Sequence, residues 1–357
     1  MRPTKATVSL SAISANLEIT RRLAPQSKIM AVIKANAYGH GVIEVARELQ
    51  NKVPAFAVAF FDEAVQLRDA GIELPILILQ GTTTKADVAE AAAKDFCLML
   101  HSRQQVERVL RASTAAPVSV WIKADTGMHR LGLVESELQD VCESLSASAN
   151  VQAGMVLCSH LAFADELSNP MTRQQIKRTR MLASKYGLDV SLANSAGIIG
   201  WPQSHAEWNR PGYMLYGNSP MHSQQGPALI PAMSMESEII SVRQLEAGDG
   251  LGYGQTWMAS KAAKIGTIPI GYGDGYPRHA ANGTPVLVNG HRVPLVGRVS
   301  MDMISVDLSG LEHADVGDPV ELWGTRLSVN EVALSASTIG YELLAGLTSR
   351  VPRSYIN

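Results

Sequence analysis

The stretch KIMAVIKANAYGHGVIEVARELQNKVPAFAVAF (28–60) contains the unit that decides the fold: an apolar run, a helical pattern and a second apolar run. KIMAVIK (28–34) and PAFAVAF (54–60) are apolar almost throughout instead of alternating, which is typical of parallel strands buried on both faces. Between them, GVIEVARELQ (41–50) has the spacing of an amphipathic helix. The stretch therefore predicts one strand–helix–strand unit of a parallel sheet.

The same alternation continues to about residue 215. The further apolar runs are LPILIL (74–79), FCLML (96–100), PVSVWIK (117–123), GMVLCSH (154–160), DVSLAN (189–194) and PGYMLYG (211–217). The helical patterns between runs include DEAVQLRDAG (62–71), TKADVAEAAAKD (84–95), RQQVERVLRAS (103–113) and ESELQDVCESLSA (135–147). Such alternation fits an open doubly wound sheet or a closed barrel. The total of eight candidate strands favours an α/β fold with an N-terminal (β/α)8 TIM barrel.

After about residue 225 the pattern becomes one of short strands. SQQGPALIPA (223–232) is a connector rich in proline and glycine, and Asn289-Gly290 separate two β-rich runs, as in a tight hairpin. Only the stretch from about 329 to 346 returns to a helical pattern. We expect residues 1–225 to form the barrel and residues 226–357 to form a C-terminal, mainly β domain.

Composition excludes several classes of protein. The 357 residues are 46% hydrophobic and 18% charged, enough for a large core, and a net charge of −2 without blocks of like charge does not suit a nucleic-acid binder. No window reaches about 18 uninterrupted apolar residues, so we expect no membrane-spanning segment, and the start lacks the apolar region of a signal peptide. The cysteines Cys97, Cys142 and Cys158 form no C-x-x-C pair, which argues against a disulfide scaffold or a zinc site. We expect a cytoplasmic protein that binds a small molecule and no metal, nucleic acid or membrane.

Lys34 ends the first apolar run, and active sites of (β/α)8 barrels lie at the carboxyl ends of the strands. A lysine that snorkels out of a strand end would explain this position equally well. An amine packed against an apolar strand is desolvated, however, which favours its neutral form and a Schiff base with a carbonyl. Tyr38 and His40, with the flanking glycines Gly39 and Gly41, favour the second interpretation because they offer a hydroxyl and close backbone approach.

Other predicted strand ends also carry polar groups, and one such group by itself would be ordinary structure. Five ends on one rim predict a site: Lys34; Lys123 with Arg130; His160; Asn194 with Ser195; and Arg210 with Gly212 and Tyr213. The residues after Asn194 begin a predicted helix, whose free N–H groups favour a phosphate.

Nine ordered blocks of this sequence resemble the alanine racemase family. They are AVIKANAYGHG (31–41), IKADTGMHRLG (122–132), SHLAFAD (159–165), LANSAG (192–197), RPGYMLYG (210–217), GYGQTW (252–257), GYGDGYPRH (271–279), GRVSMDMISVD (297–307) and SRVPR (349–353). The resemblance implies a fold-type III isomerase that interconverts L-alanine and D-alanine with pyridoxal 5'-phosphate (PLP). It also implies a homodimer with shared active sites. D-alanine biosynthesis for peptidoglycan and the catabolism of alanine are both compatible with these motifs.

The resemblance implies two catalytic bases. Lys34 corresponds to the lysine that binds the cofactor and serves as one base, and Tyr253 to the second base, contributed by the C-terminal domain of the other subunit. Racemisation needs a base on each face of a planar carbanion, and one lysine does not reach both. Because a tyrosine ordinarily titrates near pH ~10, Tyr253 needs help, which His160, with Arg210 behind it, supplies in the family.

The remaining roles follow from the same resemblance. The implied cofactor-binding residues are Lys34, Tyr38, His160, Asn194, Ser195, Arg210, Gly212, Tyr213 and Tyr341. Arg210, which can only donate, would face the pyridine nitrogen. Arg130 and the backbone of Met301 would bind the substrate carboxylate, with Asp302 beside Met301. Tyr272 and Arg278 would shape the entrance from the partner chain. Lys123 matches a lysine that is often carbamylated, and a carbamate there would orient Arg130.

One position departs from the family pattern, and several other functions fit part of it. Ser191 stands where many relatives carry a histidine that contacts the arginine, which leaves the support of Arg210 open. The alternatives are a PLP racemase of broader range, acting on serine or basic amino acids, and a fold-type III decarboxylase. The decarboxylase would need a cysteine near Met301, whereas all three cysteines precede residue 160. A PLP carrier would lack the second domain, and a cofactor-free barrel lyase would not need a phosphate site.

Overall fold

Parallel strands close into an eight-stranded barrel in the computed structural model, which describes residues 2–221 and 226–357. The strand β1 (Lys5–Ser9) precedes the barrel. The barrel strands follow in chain order: β2 (Lys28–Val32), β3 (Ala55–Val58), β4 (Ile76–Ile78), β5 (Phe96–Leu100), β6 (Ser119–Lys123), β7 (Val156–Cys158), β8 (Asp189–Ser191) and β9 (Trp208–Asn209). Each strand pairs in parallel with its neighbours, and β9 closes the barrel on β2. The predicted TIM barrel is confirmed.

Both faces of the barrel strands are buried, as the apolar runs predict. In β2, Met30 and Val32 belong to the cluster inside the barrel, where they meet Trp121. Ile29 and Ala31 belong to the larger core between the barrel and its helices. A strand that packs on both sides has no polar face to alternate, which explains the uninterrupted apolar sequence.

Helices cover the outside of the barrel. They are α1 (Leu10–Leu23), α2 (Val42–Leu49), α3 (Phe61–Asp69), α4 (Lys85–Ala93), α5 (Arg103–Leu110), α6 (Glu135–Ser146), α7 (Pro170–Tyr186) and the short α8 (Ser195–Gly200). Local sequence sets their ends: at α7, Asn169 accepts a hydrogen bond from the Met171 N–H, Pro170 takes the first position, and Gly187 ends the helix at φ 65°.

The predicted eighth strand, PGYMLYG (211–217), is wrong. The structure has a 3-10 helix at Tyr213–Tyr216, and the eighth strand is the two-residue β9 just before Arg210. Residues 213–216 are buried on all sides, so their apolar character reflects burial and does not distinguish a strand from a helical turn.

The second domain is built on a nine-stranded sheet. The strands that follow the barrel in the chain, two of which lie outside this sheet, are β10 (Met233–Glu238), β11 (Ser241–Leu245), β12 (Gly250–Leu251), β13 (Trp257–Met258), β14 (Ala263–Ile268), β15 (Pro285–Val288), β16 (His291–Val296), β17 (Ile304–Asp307), β18 (Pro319–Trp323) and β19 (Arg353–Ile356). The large sheet has the order β11-β14-β17-β16-β15-β18-β10-β1-β19, and β12 pairs only with β13. The predicted Asn289-Gly290 hairpin joins β15 to β16, with φ of 50° and 80°.

The predicted domain ranges need one correction at the N-terminus. β1 lies between β10 and β19 in the second sheet, so the first strand of the chain does not belong to the barrel. The predicted boundary at residue 225, with residues 223–225 of the connector, lies outside the described residues.

The predicted helical pattern near the C-terminus forms two helices, α9 (Val329–Ser335) and α10 (Gly340–Ala345). α10 packs against the segment that follows β2, which brings Tyr341 to the barrel rim. All three cysteines are buried and free. In the described ranges, no helix combines the length and apolarity that a membrane crossing requires, and no group of His, Cys, Asp and Glu side chains could hold a metal ion.

Candidate active site

A cavity of about 750 Å³ opens at the carboxyl ends of the barrel strands. Eleven of the predicted site residues line it: Lys34, Tyr38, Lys123, Arg130, His160, Asn194, Ser195, Arg210, Gly212, Tyr213 and Tyr341. Four of these side chains are Lys or Arg, and among the described residues that line the cavity none is Asp or Glu. The barrel rim therefore forms one site whose charge favours an anionic ligand.

The predicted residues of the second domain lie elsewhere. Tyr253 is 71% exposed, Met301 52% and Tyr272 39%, and none of the three lines the cavity. Asp302 and Arg278 are also exposed and lie outside the lining. One chain therefore holds the predicted site in two separate parts.

The segment after β2 is a left-handed turn, residues 35–39. Ala35, Asn36, Ala37 and Tyr38 have φ between 52° and 54°, and Gly39 has φ 83°. Left-handed backbone costs about 1–2 kcal/mol for each residue with a Cβ, so contacts elsewhere must hold it. The turn directs Lys34 and Tyr38 into the same cavity.

Two side chains hold the start of this turn. The Asn36 Oδ1 accepts from the Val42 N–H at 2.8 Å. The Glu63 Oε1 on α3 accepts from the Ala35 N–H at 2.6 Å, and its Oε2 accepts from the Ala59 N–H at 2.7 Å. Glu63 thereby ties the residue after Lys34 to the neighbouring strand end.

The electrostatic environment of Lys34 favours the neutral amine. Burial, followed by the positive charge of Arg130, lowers the pKa of Lys34 below its ordinary 10.5; the Glu63 carboxylate opposes this shift and the Arg210 charge adds to it. A larger neutral fraction near neutral pH makes the amine a better nucleophile and a better base. This agrees with the prediction from its place at the strand end.

Arg210 and His160 form a hydrogen-bonded pair at the back of the cavity. The Arg210 Nη2 donates to the Ser159 carbonyl at 2.7 Å and lies 3.3 Å from the His160 Nδ1. A guanidinium can only donate, so the His160 Nδ1 is the acceptor and its proton resides on Nε2. Burial and the charge of Arg210 hold the pKa of His160 well below its usual value, which keeps the ring neutral.

Ser191 supports the Arg210 guanidinium directly. The Arg210 Nη1 donates to the Ser191 Oγ at 2.6 Å, inside the protein. The serine hydroxyl is sufficient for this contact, because a guanidinium only donates and an oxygen can accept its hydrogen bond. Arg210 is not left without support.

A cradle of small and hydroxyl residues lies at the end of the cavity near α8. The Ser195 Oγ accepts from the N–H groups of Gly212 at 3.1 Å and Met214 at 3.2 Å, which leaves its own proton to donate. The Gly212 N–H is thus already hydrogen-bonded to the Ser195 Oγ. A Cβ on Gly212 would lie 2.5 Å from the Tyr38 Oη, so any larger residue here would require the Tyr38 ring to shift. The Asn194 Oδ1 accepts from the Gly197 N–H at 2.9 Å and caps α8.

Aromatic rings wall the same end of the cavity. The rings of Tyr213 and Tyr341 stack with centroids 3.7 Å apart, and Tyr38 lies 6.0 Å from Tyr341. Burial raises the pKa of all three hydroxyls above their usual range, so they remain neutral donors. The Asn330 Oδ1 on α9 accepts a hydrogen bond from the Tyr213 hydroxyl, and the Asn330 Nδ2 donates to the Ser219 carbonyl at 3.0 Å. The cradle therefore combines barrel residues with side chains of α9 and α10.

Lys123 lies deep in the cavity on β6. Burial lowers the pKa of its amine; the charges of Arg210 and Arg130 act in the same direction, whereas Cys158 and Asp125 oppose it. Within the described ranges, no carboxylate lies within salt-bridge distance of Lys123. The lowered pKa favours the neutral form of the Lys123 amine, which is the form that reacts with carbon dioxide.

Two residues that shape this site were not predicted from sequence. Glu63 occupies the position of a helix-capping carboxylate, so its sequence pattern indicates only the start of α3. Asn330 has no distinguishing pattern in the stretch from 329 to 346. Both act across long separations in sequence, which local patterns do not encode.

Comparisons with known proteins agree with these observations. A family model described as the N-terminal domain of alanine racemase matches residues 8–220, and one described as its C-terminal domain matches residues 232–355. An alanine racemase of Halorhodospira halophila is 47% identical, covering 100% of this chain and 98% of that protein. A catabolic alanine racemase of Pseudomonas putida is 44% identical, with coverages of 100% and 99%. The crystal structure of a biosynthetic alanine racemase from Pseudomonas aeruginosa has 46% identity, covers 100% of both chains and matches with a TM-score of 0.97.

Proposed function

This chain belongs to the alanine racemase family, and from that membership we infer that it is an isomerase that interconverts L-alanine and D-alanine. We propose further that it does so with PLP, with Lys34 and Tyr253 as its two bases, and as a homodimer. One observation carries this proposal: the barrel groups line a cavity, whereas Tyr253 lies exposed on the second domain. An exposed base outside its own cavity is suited to serve the cavity of another subunit.

The residues present fit PLP. The cavity is cationic, Gly212 leaves room beneath the Tyr38 hydroxyl, and Ser195 retains a proton to donate, as a phosphate site requires. Lys34 has a lowered pKa, as a lysine that binds an aldehyde requires. The residues that would hold the cofactor are Lys34, Tyr38, His160, Asn194, Ser195, Arg210, Gly212, Tyr213 and Tyr341. When bound, PLP supplies an electron-withdrawing ring that acidifies the α-proton of the amino acid.

Lys34 and Tyr253 would act on opposite faces of the substrate. The Lys34 Nζ exchanges the α-proton on the face toward the barrel, and the Tyr253 Oη of the other subunit exchanges it on the opposite face. Removal on one face and return on the other inverts the configuration, whereas one base alone would return the proton to the face it came from. The two-base arrangement therefore requires both parts of the divided site.

His160 is suited to assist Tyr253. The guanidinium of Arg210 fixes the neutral Nε2–H tautomer of His160. The Nε2–H can then donate to the Tyr253 oxygen and stabilise its deprotonated form, because a charge-assisted hydrogen bond is stronger than a neutral one. Arg210 thus acts on the second base through His160 and does not itself need to move a proton.

Cationic and backbone donors would bind the substrate carboxylate. Arg130 lines the cavity and can form a bidentate pair with a carboxylate, and the exposed Met301 N–H of the other subunit would be the second donor. Tyr272 and Arg278, whose guanidinium lies 5.3 Å from the Tyr272 ring, would shape the entrance. A carbamate on Lys123 would give Arg130 an anionic partner in a cavity whose described lining has no Asp or Glu.

We place the protein in the cytoplasm, where its three buried thiols would stay reduced. The substrate range is tested by a chiral assay of the purified protein with L-alanine, L-serine, L-lysine and L-arginine, with and without added PLP. Racemisation of lysine in preference to alanine would overturn the inference about the substrate and support the broader alternative.

The two-base proposal is tested with variants that each remove one group. Lys34→Ala should lose the absorbance of bound PLP and all conversion. Tyr253→Phe should keep the absorbance and lose conversion by about 10²–10⁴-fold, the usual contribution of a general base, most severely from the L enantiomer. Tyr186→Phe, which removes a hydroxyl that has no hydrogen-bond partner among the described residues, is the matched control and should keep full activity. An active Tyr253→Phe protein would refute the assignment.

Mixing the two inactive variants tests the shared site. A heterodimer of Lys34→Ala and Tyr253→Phe chains has one site in which both bases are intact. Random reassociation of equal amounts should restore about a quarter of wild-type activity, since about half of the dimers are mixed and one of their two sites works. No recovery from folded, dimeric mixtures would place both bases in one chain.

A further inference from the structure

The closing block SRVPR (349–353) has no role in the mechanism above, although it is one of the blocks that carry the family resemblance. It leads from α10 into β19, which pairs with β1 in the second sheet. Val351 is buried between its two arginines, so Arg350 and Arg353 extend from a fixed segment. Their contacts lead to different parts of the divided site.

Arg353 binds the end of the left-handed turn. Its Nε donates to the Gly39 carbonyl at 2.6 Å, and its Nη2 donates to the Leu347 carbonyl at 3.1 Å. A Cβ on Gly39 would collide with the Leu344 carbonyl, so the backbones of the turn and of α10 are already in contact there. One guanidinium therefore joins the last residue of the turn to the segment that follows α10.

This link bears on the cofactor cradle because both joined elements carry cradle residues. The turn contains Tyr38 and directly follows Lys34, and α10 contains Tyr341. Left-handed backbone has a more stable alternative at every residue with a Cβ, so release of Gly39 would allow the turn to relax and to displace Lys34 and Tyr38.

Arg350 binds two loops of the second domain. Its Nη2 donates to the Asp302 Oδ1 at 2.6 Å, and its Nε lies 3.3 Å from the Oδ1 of the buried Asp274. The Asp274 Oδ2 accepts from the Gly271 N–H at 3.0 Å and thus fixes the turn that carries Tyr272.

The two loops also bind each other. The Tyr272 N–H donates to the Ser300 carbonyl at 3.0 Å, and the Gly273 N–H donates to the Met301 carbonyl at 2.9 Å. Arg2 pairs with Asp274 at 2.8 Å, so the buried carboxylate keeps one cationic partner if Arg350 is removed. Loss of Arg350 should therefore loosen the loops without leaving a buried charge unpaired.

We propose that Arg353 and Arg350 are positioning residues that serve the two parts of the site separately. Arg353 holds the turn that presents Lys34 and Tyr38 to the cofactor, and Arg350 holds the loops that present Met301 and Tyr272 to the substrate. The part of this proposal that concerns Arg350 rests on the proposed function, whereas the part that concerns Arg353 needs only cofactor binding.

The test compares Arg353→Gln with Arg350→Gln, each being the control for the other. The readouts are the dissociation constant of PLP from the apo protein, measured by absorbance and fluorescence titration, and KM and kcat for L-alanine at saturating PLP. Arg353→Gln should weaken PLP binding by about tenfold or more, the loss that one charge-assisted hydrogen bond explains. Arg350→Gln should leave PLP binding within about twofold of the wild type and raise KM by about tenfold, more than it lowers kcat.

Conservative variants separate positioning from general destabilisation. Arg350→Lys retains a cation for Asp302 and should recover part of the loss in KM, with an unchanged melting temperature as evidence of folding. Where Arg353→Gln does not fold, Arg353→Lys takes its place, since it keeps the charge but has no fork to span two carbonyls. Wild-type PLP binding by a folded Arg353 variant overturns the proposal, as does an equal effect of both substitutions on PLP binding. A wild-type protein that binds PLP but does not racemise alanine refutes the proposed function and leaves the Arg353 test valid.

Discussion

Protonation of His40 should make the folded protein markedly less stable between pH 7 and pH 5. The His40 ring is fully buried, stacks on Tyr216 with centroids 4.5 Å apart, and lies at the end of the left-handed turn. Its Nδ1 lies 3.0 Å and 2.9 Å from the carbonyls of Ala37 and Tyr38, so Nδ1 carries the proton. Its Nε2 has no hydrogen-bond partner among the described residues, so a second proton there would have no acceptor.

The size of the effect follows from the pKa. Burial lowers the pKa of His40 from 6.5 to about 4. Below pH 6.5 His40 binds a proton in the unfolded chain, whereas in the folded protein it does so only near pH 4. The free energy of unfolding therefore falls as the pH falls through this window. Integrated from pH 7 to pH 5, the loss from this one group is about 2 kcal/mol.

The assay is urea unfolding at pH 7 and pH 5, without added cofactor and at one protein concentration, because subunit association also contributes to stability. His40→Asn removes the titration while keeping an N–H donor for the carbonyls. Its free energy of unfolding should be lower at pH 7 but should change with pH by about 2 kcal/mol less than that of the wild type. His313→Asn, at an exposed histidine, is the control and should keep the wild-type pH dependence. Equal pH dependence of His40→Asn and wild type would refute the reasoning.

Two further predictions concern the cavity. Gly212→Ala should lower PLP affinity by about tenfold or more, as measured by fluorescence titration, because its Cβ would lie 2.5 Å from the Tyr38 Oη. Gly310→Ala is the control and should bind PLP like the wild type, since no neighbouring atom lies within 4 Å of a Cβ at that position. Lys123 should be carbamylated, which native mass spectrometry detects as an added carbon dioxide that is lost on acid treatment. The same added mass in Lys123→Met would place the modification elsewhere, and a plain lysine in the wild type at neutral pH would refute it.

Local sequence patterns predict both classes of domain and bring most of the candidate site together at one barrel rim. Seven of the eight predicted barrel strands and the Asn289-Gly290 hairpin are found, because burial on both faces and tight turns leave local patterns. All predicted barrel residues of the site, from Lys34 to Tyr213, line one cavity, since strand ends of a parallel barrel meet at one rim.

Features that depend on contacts between residues distant in sequence are visible only in the folded protein. The left-handed turn carries Ala35 and Ala37, whose local preference is the opposite hand, and only partners such as Glu63 hold it. The place of β1 in the second sheet, the helical turn at Tyr213–Tyr216 and the serine support of Arg210 arise in the same way. Local sequence fixes periodicity and turn chemistry, whereas the φ of a strained residue and the partner of a buried cation are set by packing across the fold.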